Sequence, residues 1–251
     1  MTRSVSVRSA LCFSAAVLTA ACAGQTAPRQ QPQVAAPSPP AETPSRTEAE
    51  ALQAVVVGDE FASGTISGGF GSKNWTADLQ RRAGRSGIDV YVRNFSRGGA
   101  GYTATNPDSP TFGEQVARGV NPDTNLVLLA GGTNDVDSLP SLHDAAVGTL
   151  DQVKAIAPRA GMLVVGPSWY RREPPDSAIL AARNIIRDAA DEAGAPFIDP
   201  IADGWFAGRD DLVSPDHLQL NHAGQQVVAD RLAPPVIAAL RQQHPAPGRS
   251  R

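Results

Sequence analysis

Cysteine, histidine and aromatic residues are scarce in this chain of 251 residues, and each shortage excludes a class of function. The two cysteines, Cys12 and Cys22, both lie near the N-terminus, so the remainder has no disulfide framework and no cysteine metal site. With four histidines and no further cysteine, we predict no metal centre. The 22 basic residues face 25 acidic ones, for a net charge of −3, so no basic field attracts nucleic acid.

The first 22 residues have the features of an export signal. Arg3 and Arg8 precede an uncharged apolar run over 10–21, which is too short to span a bilayer as a mature helix. The run ends in Leu-Thr-Ala-Ala-Cys, which resembles a bacterial lipobox with Cys22 as the lipidated residue. Cleavage without lipidation is the alternative. We therefore expect an exported protein, either a membrane lipoprotein or a secreted one.

Two segments of the chain have a composition that cannot bury a core. Residues 23–50 hold six prolines among Gln, Ala, Ser and Glu, which predicts a disordered tether between an anchor and a domain. Residues 242–251 are rich in Pro, Arg and Ser, and we predict a disordered tail there. One domain remains, over residues 51–241.

Strand patterns and helix patterns alternate through this domain. Apolar runs that end at glycine predict buried parallel strands at 54–57, 126–130 and 162–165, and further strands are expected at 88–95 and 196–199. Helical spacing of apolar residues covers 76–83, 142–156 and 179–193, and a last helix starts at 223. The alternation predicts an α/β fold, a three-layer α/β/α sandwich with a parallel central sheet of the flavodoxin-like type. Sites in such sheets lie beyond the carboxyl ends of the strands.

Four short motifs follow these strands or precede the last helix. They are Gly58-Asp59-Glu60, Gly98-Gly99, Gly132-Thr133-Asn134-Asp135, and the segment from Asp216 to Gly224. Taken in order, they resemble the four sequence blocks of the SGNH, or GDSL-type, hydrolases, and the resemblance covers the whole domain. It implies the SGNH-hydrolase fold and hydrolysis of ester bonds on lipids, acylated sugars or polysaccharides.

The resemblance also implies roles for individual residues. In the family, the first block supplies a serine nucleophile, a glycine of the second and the asparagine of the third form the oxyanion hole, and the last block supplies an aspartate and a histidine base. Four positions match without change, namely Asp59, Gly99, Asn134 and Asp216. The nucleophile position holds Glu60, and the base position holds Gln219.

These two replacements argue against an ordinary Ser–His–Asp esterase. The amide of Gln219 forms hydrogen bonds but does not titrate, so it cannot act as a general base. The carboxylate of Glu60 is a weak nucleophile towards esters, but it is a competent acid, base or nucleophile at glycosidic bonds.

Two functions follow if Glu60 is a working residue. In the first, Glu60 and Asp216 flank one cleft as the two carboxylates of a glycosidase, with Asn134 and the Gly99 amide stabilising negative charge on oxygen. In the same pocket, Glu60 paired with the Gln219 amide could instead grip a hydroxylated ligand without turning it over. In the second, the domain is a catalytically silent relative whose fold serves binding or assembly in the cell envelope.

An esterase with a shifted nucleophile is the third possibility. Ser63 lies one helical turn beyond the nucleophile position, and His217 or His222 would then serve as the base. This arrangement needs two shifts at once.

Some of these residues also have purely structural interpretations. Glu60 could cap a helix, since carboxylates are favoured at helix N-termini, and Gln219 could be a solvated loop residue. Asp59 and Asp135 are expected to fix loops by accepting backbone hydrogen bonds.

Candidates for ligand binding surround the same edge of the sheet, namely Asp59, Trp169, Tyr170 and His217. The aromatic pair followed by Arg171 and Arg172 could stack on a sugar and hold a phosphate or carboxylate, or form a lid on the sheet. Because residues 98–101 lack the helix and downstream acid of a dinucleotide loop, we predict no cofactor. The expected partners are an envelope glycan, a glycolipid or an acyl ester, and the membrane through a lipid on Cys22.

Overall fold

The structure, a computed structural model, describes residues 51–104 and 109–243. The predicted export signal, the lipidation site at Cys22 and the tether lie outside these residues, as does the tail from 244 onwards. The last helix ends at Gln243, so the domain extends slightly beyond the predicted boundary at 241. No helix in the described part is long and apolar enough to cross a membrane.

Five parallel strands form the central sheet, as the sequence predicts. They are β1 (Leu52–Gly58), β2 (Val90–Asn94), β3 (Leu126–Ala130), β4 (Gly161–Val165) and β5 (Phe197–Ile198). Their order is β2-β1-β3-β4-β5, and all neighbours are parallel. The strand order reverses between β1 and β3, and a crevice opens beyond the carboxyl ends of strands at such a point.

Helices cover both faces of the sheet. The described helices are α1 (Glu60–Ser63), α2 (Trp75–Arg85), α3 (Phe112–Gly119), α4 (Leu139–Ile156), α5 (Ser177–Glu192) and α6 (His222–Gln243). Along β1, Ala54 and Val56 pack with α2 and α6, whereas Val55 and Val57 pack with α3, α4 and α5. This alternation follows from the period of two along a strand and builds two apolar layers. The three-layer sandwich is therefore confirmed.

Helix α3 is an element that the apolar pattern did not predict. It carries a capping box, in which Thr111 Oγ1 accepts from the Glu114 amide at 3.3 Å and Glu114 Oε2 accepts from the Thr111 amide at 2.8 Å. The helix is only eight residues long, so its apolar face repeats too few times to stand out. The spacing Thr-x-x-Glu at 111–114 is the sequence signal that indicates the start of this helix.

One side chain of α3 fixes the end of β1. The buried Gln115 accepts from the Gly58 amide at 2.9 Å and donates to the Gly58 carbonyl at 3.1 Å. A Cβ at Gly58 would lie 2.3 Å from the Ala130 carbonyl oxygen, so only glycine fits at this approach of β1 to β3. The backbone that leads into Asp59 and Glu60 is thus fixed between Gln115 of α3 and Ala130 of β3.

We expect Gln115→Leu to lower the free energy of unfolding by about 1–3 kcal/mol, because the buried Gly58 amide loses its acceptor. Urea unfolding of the purified protein measures this change. The matched control is Gln226→Leu, at an exposed position of α6, which should change stability by less than about 0.5 kcal/mol. Equal stability of the two variants would contradict the role of Gln115.

Candidate active site

The site is built where α1 begins, directly after β1. Asp59 is the N-cap of α1, and its Oδ1 accepts from the Phe61 amide at 2.9 Å. Its Oδ2 accepts from the Gly132 amide at 3.0 Å, which ties the loop after β3 to the start of α1. Asp59 is 1% exposed, so its carboxyl group is buried beside the end of β1. As the N-cap residue, it places Glu60 in the first turn of α1.

The carboxylate of Glu60 occupies the two donors that the resemblance assigns to the oxyanion hole. Glu60 Oε2 accepts from the Gly99 amide at 2.9 Å and from Asn134 Nδ2 at 3.1 Å. Donors at 2.7–3.1 Å are the geometry that stabilises a developing oxyanion. Asn134 Nδ2 also donates to the Ala100 carbonyl at 2.9 Å, which fixes its orientation. The donor pair is therefore present, and the chain's own carboxylate fills it.

Glu60 lines a cavity of about 100 Å³ at the edge of the sheet. The predicted ligand-binding residues Asp59, Trp169, Tyr170 and His217 line the same cavity, together with Arg171. The second carboxylate oxygen of Glu60, Oε1, has no hydrogen-bond partner among residues 51–104 and 109–243. It can accept a hydrogen bond from a hydroxyl group that enters the cavity.

The aromatic pair after β4 forms one wall of this cavity. Trp169 Nε1 donates to the Glu173 carbonyl at 2.6 Å, and the Arg171 guanidinium lies 5.6 Å from the Trp169 ring centroid. The Tyr170 hydroxyl accepts from Ser168 at 2.6 Å, and its burial raises the pKa of Tyr170 well above the ordinary value. Trp169 is half-buried and presents a ring to the cavity, whereas the Tyr170 hydroxyl is fixed as a neutral group.

Asp135 holds the loop after β2, as the sequence predicts. Its buried carboxylate accepts from the backbone amides of Tyr102 at 3.0 Å, Thr103 at 2.7 Å and Ala104 at 3.0 Å. A Cβ at Gly101 would lie 2.5 Å from Asp135 Oδ1, so the loop approaches Asp135 too closely for any other residue. The Gly99 donor is fixed by this packing.

Asp216 and Gln219 are not among the residues that line this cavity, although the two residues between them, His217 and Leu218, line it. The pairing of Asp216 with Glu60 therefore stays a prediction. The Ser214 hydroxyl and the Leu218 amide both donate to Asp216 Oδ1, and these bonds lower the pKa of the Asp216 carboxyl. Gln219 Oε1 accepts from Ser67 Oγ at 2.8 Å. These hydrogen bonds engage both side chains, and within the described residues neither Asp216 nor Gln219 hydrogen-bonds to Glu60.

The shifted esterase triad does not assemble either. Ser63 Oγ donates to the neighbouring Gly64 carbonyl at 3.0 Å, and no histidine of the described residues hydrogen-bonds to it. His217 Nδ1 lies 3.3 Å from the Tyr170 carbonyl oxygen, and its backbone has a φ of 56°. His222 lies at the start of α6, in a different cavity.

The sequence analysis missed four cavity residues as candidate ligand contacts, namely Phe61, Thr133, Ser168 and Leu218. Phe61, Thr133 and Ser168 follow the ends of β1, β3 and β4, and this position was the signal that could have found them. Across residues 51–104 and 109–243, no group of three or more His, Cys, Asp and Glu side chains could hold a metal ion. The residues that line the cavity supply the carboxyl groups of Asp59 and Glu60, hydroxyl groups, two aromatic rings after β4, the Arg171 guanidinium and the His217 imidazole.

Comparison with known proteins gives a match over most of the chain. A family model described as the GDSL-like lipase/acylhydrolase family matches residues 56–227. A GDSL lipase of Mycobacterium tuberculosis is 36% identical over 183 residues, covering 71% of this chain and 79% of that protein.

Solved structures share the architecture at low identity. A lipase/acylhydrolase from Enterococcus faecalis has a TM-score of 0.62 at 14% identity, over 74% of this chain and 96% of that one. An acetyl xylan esterase has a TM-score of 0.60 at 18% identity, over 74% of this chain and 100% of that one. At these identities the likeness shows the fold.

Asp59 makes stability depend on pH in a defined direction. Burial, and repulsion from Glu60, raise the pKa of Asp59 well above its ordinary value, and the amides of Phe61 and Gly132 offset this only in part. A raised native pKa favours the protonated carboxyl, so its contribution is greatest below the unfolded pKa and declines as pH rises through the native pKa.

We therefore expect the stability difference between the wild type and Asp59→Asn to shrink as pH rises from about 4. Thermal or urea unfolding over a pH series gives this difference, and subtraction of the variant removes the titration of other groups. A difference that grows with pH would show that Asp59 is stabilised as the anion.

Proposed function

The chain belongs to the GDSL-like lipase/acylhydrolase family, and from this premise we propose that it is a ligand-binding member that does not carry out serine acyl transfer. The observation that carries the proposal is the pair of hydrogen bonds from the Gly99 amide and Asn134 Nδ2 to Glu60 Oε2. These donors are the groups that an acyl-transfer enzyme of this family keeps free for the substrate oxygen.

Serine acyl transfer requires a hydroxyl nucleophile, an imidazole base and vacant oxyanion donors. Position 60 holds a carboxylate and position 219 an amide, so the first two requirements fail at the level of sequence. The third fails because a substrate carbonyl would have to displace a charged acceptor. Hydrogen bonds to a charged acceptor are about twice as strong as those to a neutral one, so a neutral ester competes poorly.

The cavity instead has the groups that bind a hydroxylated ligand. Glu60 Oε1 supplies a fixed, charged acceptor, and the Trp169 ring supplies an apolar face on which a sugar can stack. The Arg171 guanidinium beside Trp169 supplies donors at the cavity edge. The volume of about 100 Å³ accepts one small unit at the end of a larger ligand. We infer a sugar or polyol unit of an envelope glycan or glycolipid.

The proposed location is the cell envelope. The basic N-terminus, the apolar run and the lipobox-like sequence before Cys22 support export and lipid attachment. The proline-rich composition of residues 23–50 supports a spacer between the membrane and the domain. An envelope location brings the cavity to surface glycans and glycolipids.

We expect the purified protein to hydrolyse 4-nitrophenyl acetate and 4-nitrophenyl butyrate no faster than buffer does. Ser63→Ala is the matched variant, because Ser63 is the hydroxyl of α1 nearest to the nucleophile position. Release of 4-nitrophenol at saturating ester measures the rate. Turnover by the wild type that disappears in Ser63→Ala would contradict the proposal and establish a shifted esterase.

Ligand binding is tested by the shift in melting temperature with N-acetylglucosamine, galactose, mannose and trehalose. At least one of these sugars should raise the melting temperature of the wild type, and Glu60→Gln should lose most of that shift because it lacks the charged acceptor. Glu192→Gln removes an exposed carboxylate of α5 and should keep the shift. Equal shifts in the wild type and Glu60→Gln would contradict the role of Glu60.

A further inference from the structure

Three large apolar side chains are exposed in the described part of the chain, two of them on the segment between α1 and α2 and one on the loop before α6. Ile66 is 92% exposed, Phe70 is 63% exposed and Leu218 is 50% exposed. Leu218 also lines the cavity that holds Glu60. We call these three side chains the apolar rim. Exposed apolar side chains grouped in one place mark an interaction surface.

The loops that carry the apolar rim are held in place. Ser67 Oγ donates to Gln219 Oε1 at 2.8 Å, and this bond joins the residue after Ile66 to the residue after Leu218. The buried Asn74 donates to the Gly69 carbonyl at 2.8 Å and to the Ala62 carbonyl at 3.0 Å. These hydrogen bonds fix the backbone on which the exposed side chains of the apolar rim lie.

The segment that carries Ile66 and Phe70 has no acidic residue between Glu60 and Asp78. Residues 61–77 contain no acidic residue, and their single charged residue is Lys73, whereas the chain carries a net charge of −3. Lys154 pairs with Asp151 at 3.2 Å, but no acidic side chain of the described residues lies within ion-pair distance of Lys73. The stretch 210–221 before α6, which carries Leu218, has three carboxylates. Asp210 pairs with Arg172, Asp211 pairs with Arg209, and Asp216 is bonded to Ser214 and Leu218.

We propose that the apolar rim docks on an anionic lipid bilayer, with Ile66, Phe70 and Leu218 entering the headgroup region and Lys73 meeting the lipid phosphates. A stable protein partner needs about 800 Å² on each side, over about 20–30 residues, and three side chains are too few for that. Isolated apolar side chains can enter the boundary between headgroups and acyl chains, and basic residues are attracted to anionic lipids.

This docking goes beyond the proposed function and depends neither on a ligand nor on the lipidation of Cys22. Leu218 belongs to the apolar rim and also lines the cavity that holds Glu60. Docking of the apolar rim therefore turns the mouth of this cavity towards the membrane surface. Molecules that enter the cavity would then come from the lipid headgroup layer.

The test uses the full chain with Cys12→Ser and Cys22→Ser in every arm, so no lipid can be attached. One arm carries Ile66→Cys labelled with an environment-sensitive nitrobenzoxadiazole dye, and the control arm carries the same dye on Asp151→Cys. Asp151 has a side chain that is 63% exposed on α4, which packs on the other face of the sheet from α2 and α6. The probes are vesicles of phosphatidylcholine alone and of phosphatidylcholine with phosphatidylglycerol.

On the anionic vesicles, the emission at position 66 should rise several-fold and shift to shorter wavelength, with no change at position 151. Adding Phe70→Ser and Leu218→Ser should remove most of this response, and Phe70→Leu should preserve it. These positions are exposed, so the variants keep the folded domain, which circular dichroism checks.

Three results would overturn the proposal. The first is an unchanged emission at position 66 on both kinds of vesicle. The second is an equal response on neutral and anionic vesicles, which would remove the role of Lys73 and of lipid charge. The third is a blue-shifted emission at position 66 without vesicles that grows with protein concentration, which would mean that a second copy of the chain covers the apolar rim.

Discussion

The carboxylate of Glu60, held by the Gly99 amide and by Asn134 Nδ2, is the contact on which the rest of the site depends. Glu60 follows β1, Gly99 follows β2 and Asn134 follows β3, so one carboxylate oxygen joins the ends of three adjacent strands. Asp59, directly before Glu60, adds bonds to α1 and to the loop after β3. In a family whose members use this donor pair for a substrate oxygen, the pair here is satisfied within the chain.

The strands, the layers and the meeting of three motifs could be predicted from the sequence. Continuous apolar runs at 54–57 and 126–130 that end at glycine are typical of strands buried on both faces, and the carboxyl ends of neighbouring parallel strands lie at one edge of the sheet. Glu60, Gly99 and Asn134 were therefore expected at one place. Helix α3 was missed because its pattern is short, although Thr111 and Glu114 form a recognisable capping box.

The directions of single side chains could not be predicted in the same way. Asp216 and Gln219 keep the register of the last motif, but their hydrogen-bond partners are the hydroxyls of Ser214 and Ser67 and not Glu60. Such choices depend on a few hydrogen bonds of about 1 kcal/mol each, which no periodicity encodes.

A double-mutant cycle between Glu60 and Asn134 tests the central claim most directly. The unfolding free energies of the wild type, Glu60→Ala, Asn134→Ala and the double variant give the coupling between the two side chains. Asn134→Ala also removes the bond to the Ala100 carbonyl. This loss occurs both in the wild-type background and in the Glu60→Ala background, so it cancels from the coupling. We predict a coupling of about 1–3 kcal/mol that favours the native contact. Additive effects, with a coupling below about 0.3 kcal/mol, would show that Glu60 does not occupy the oxyanion donors.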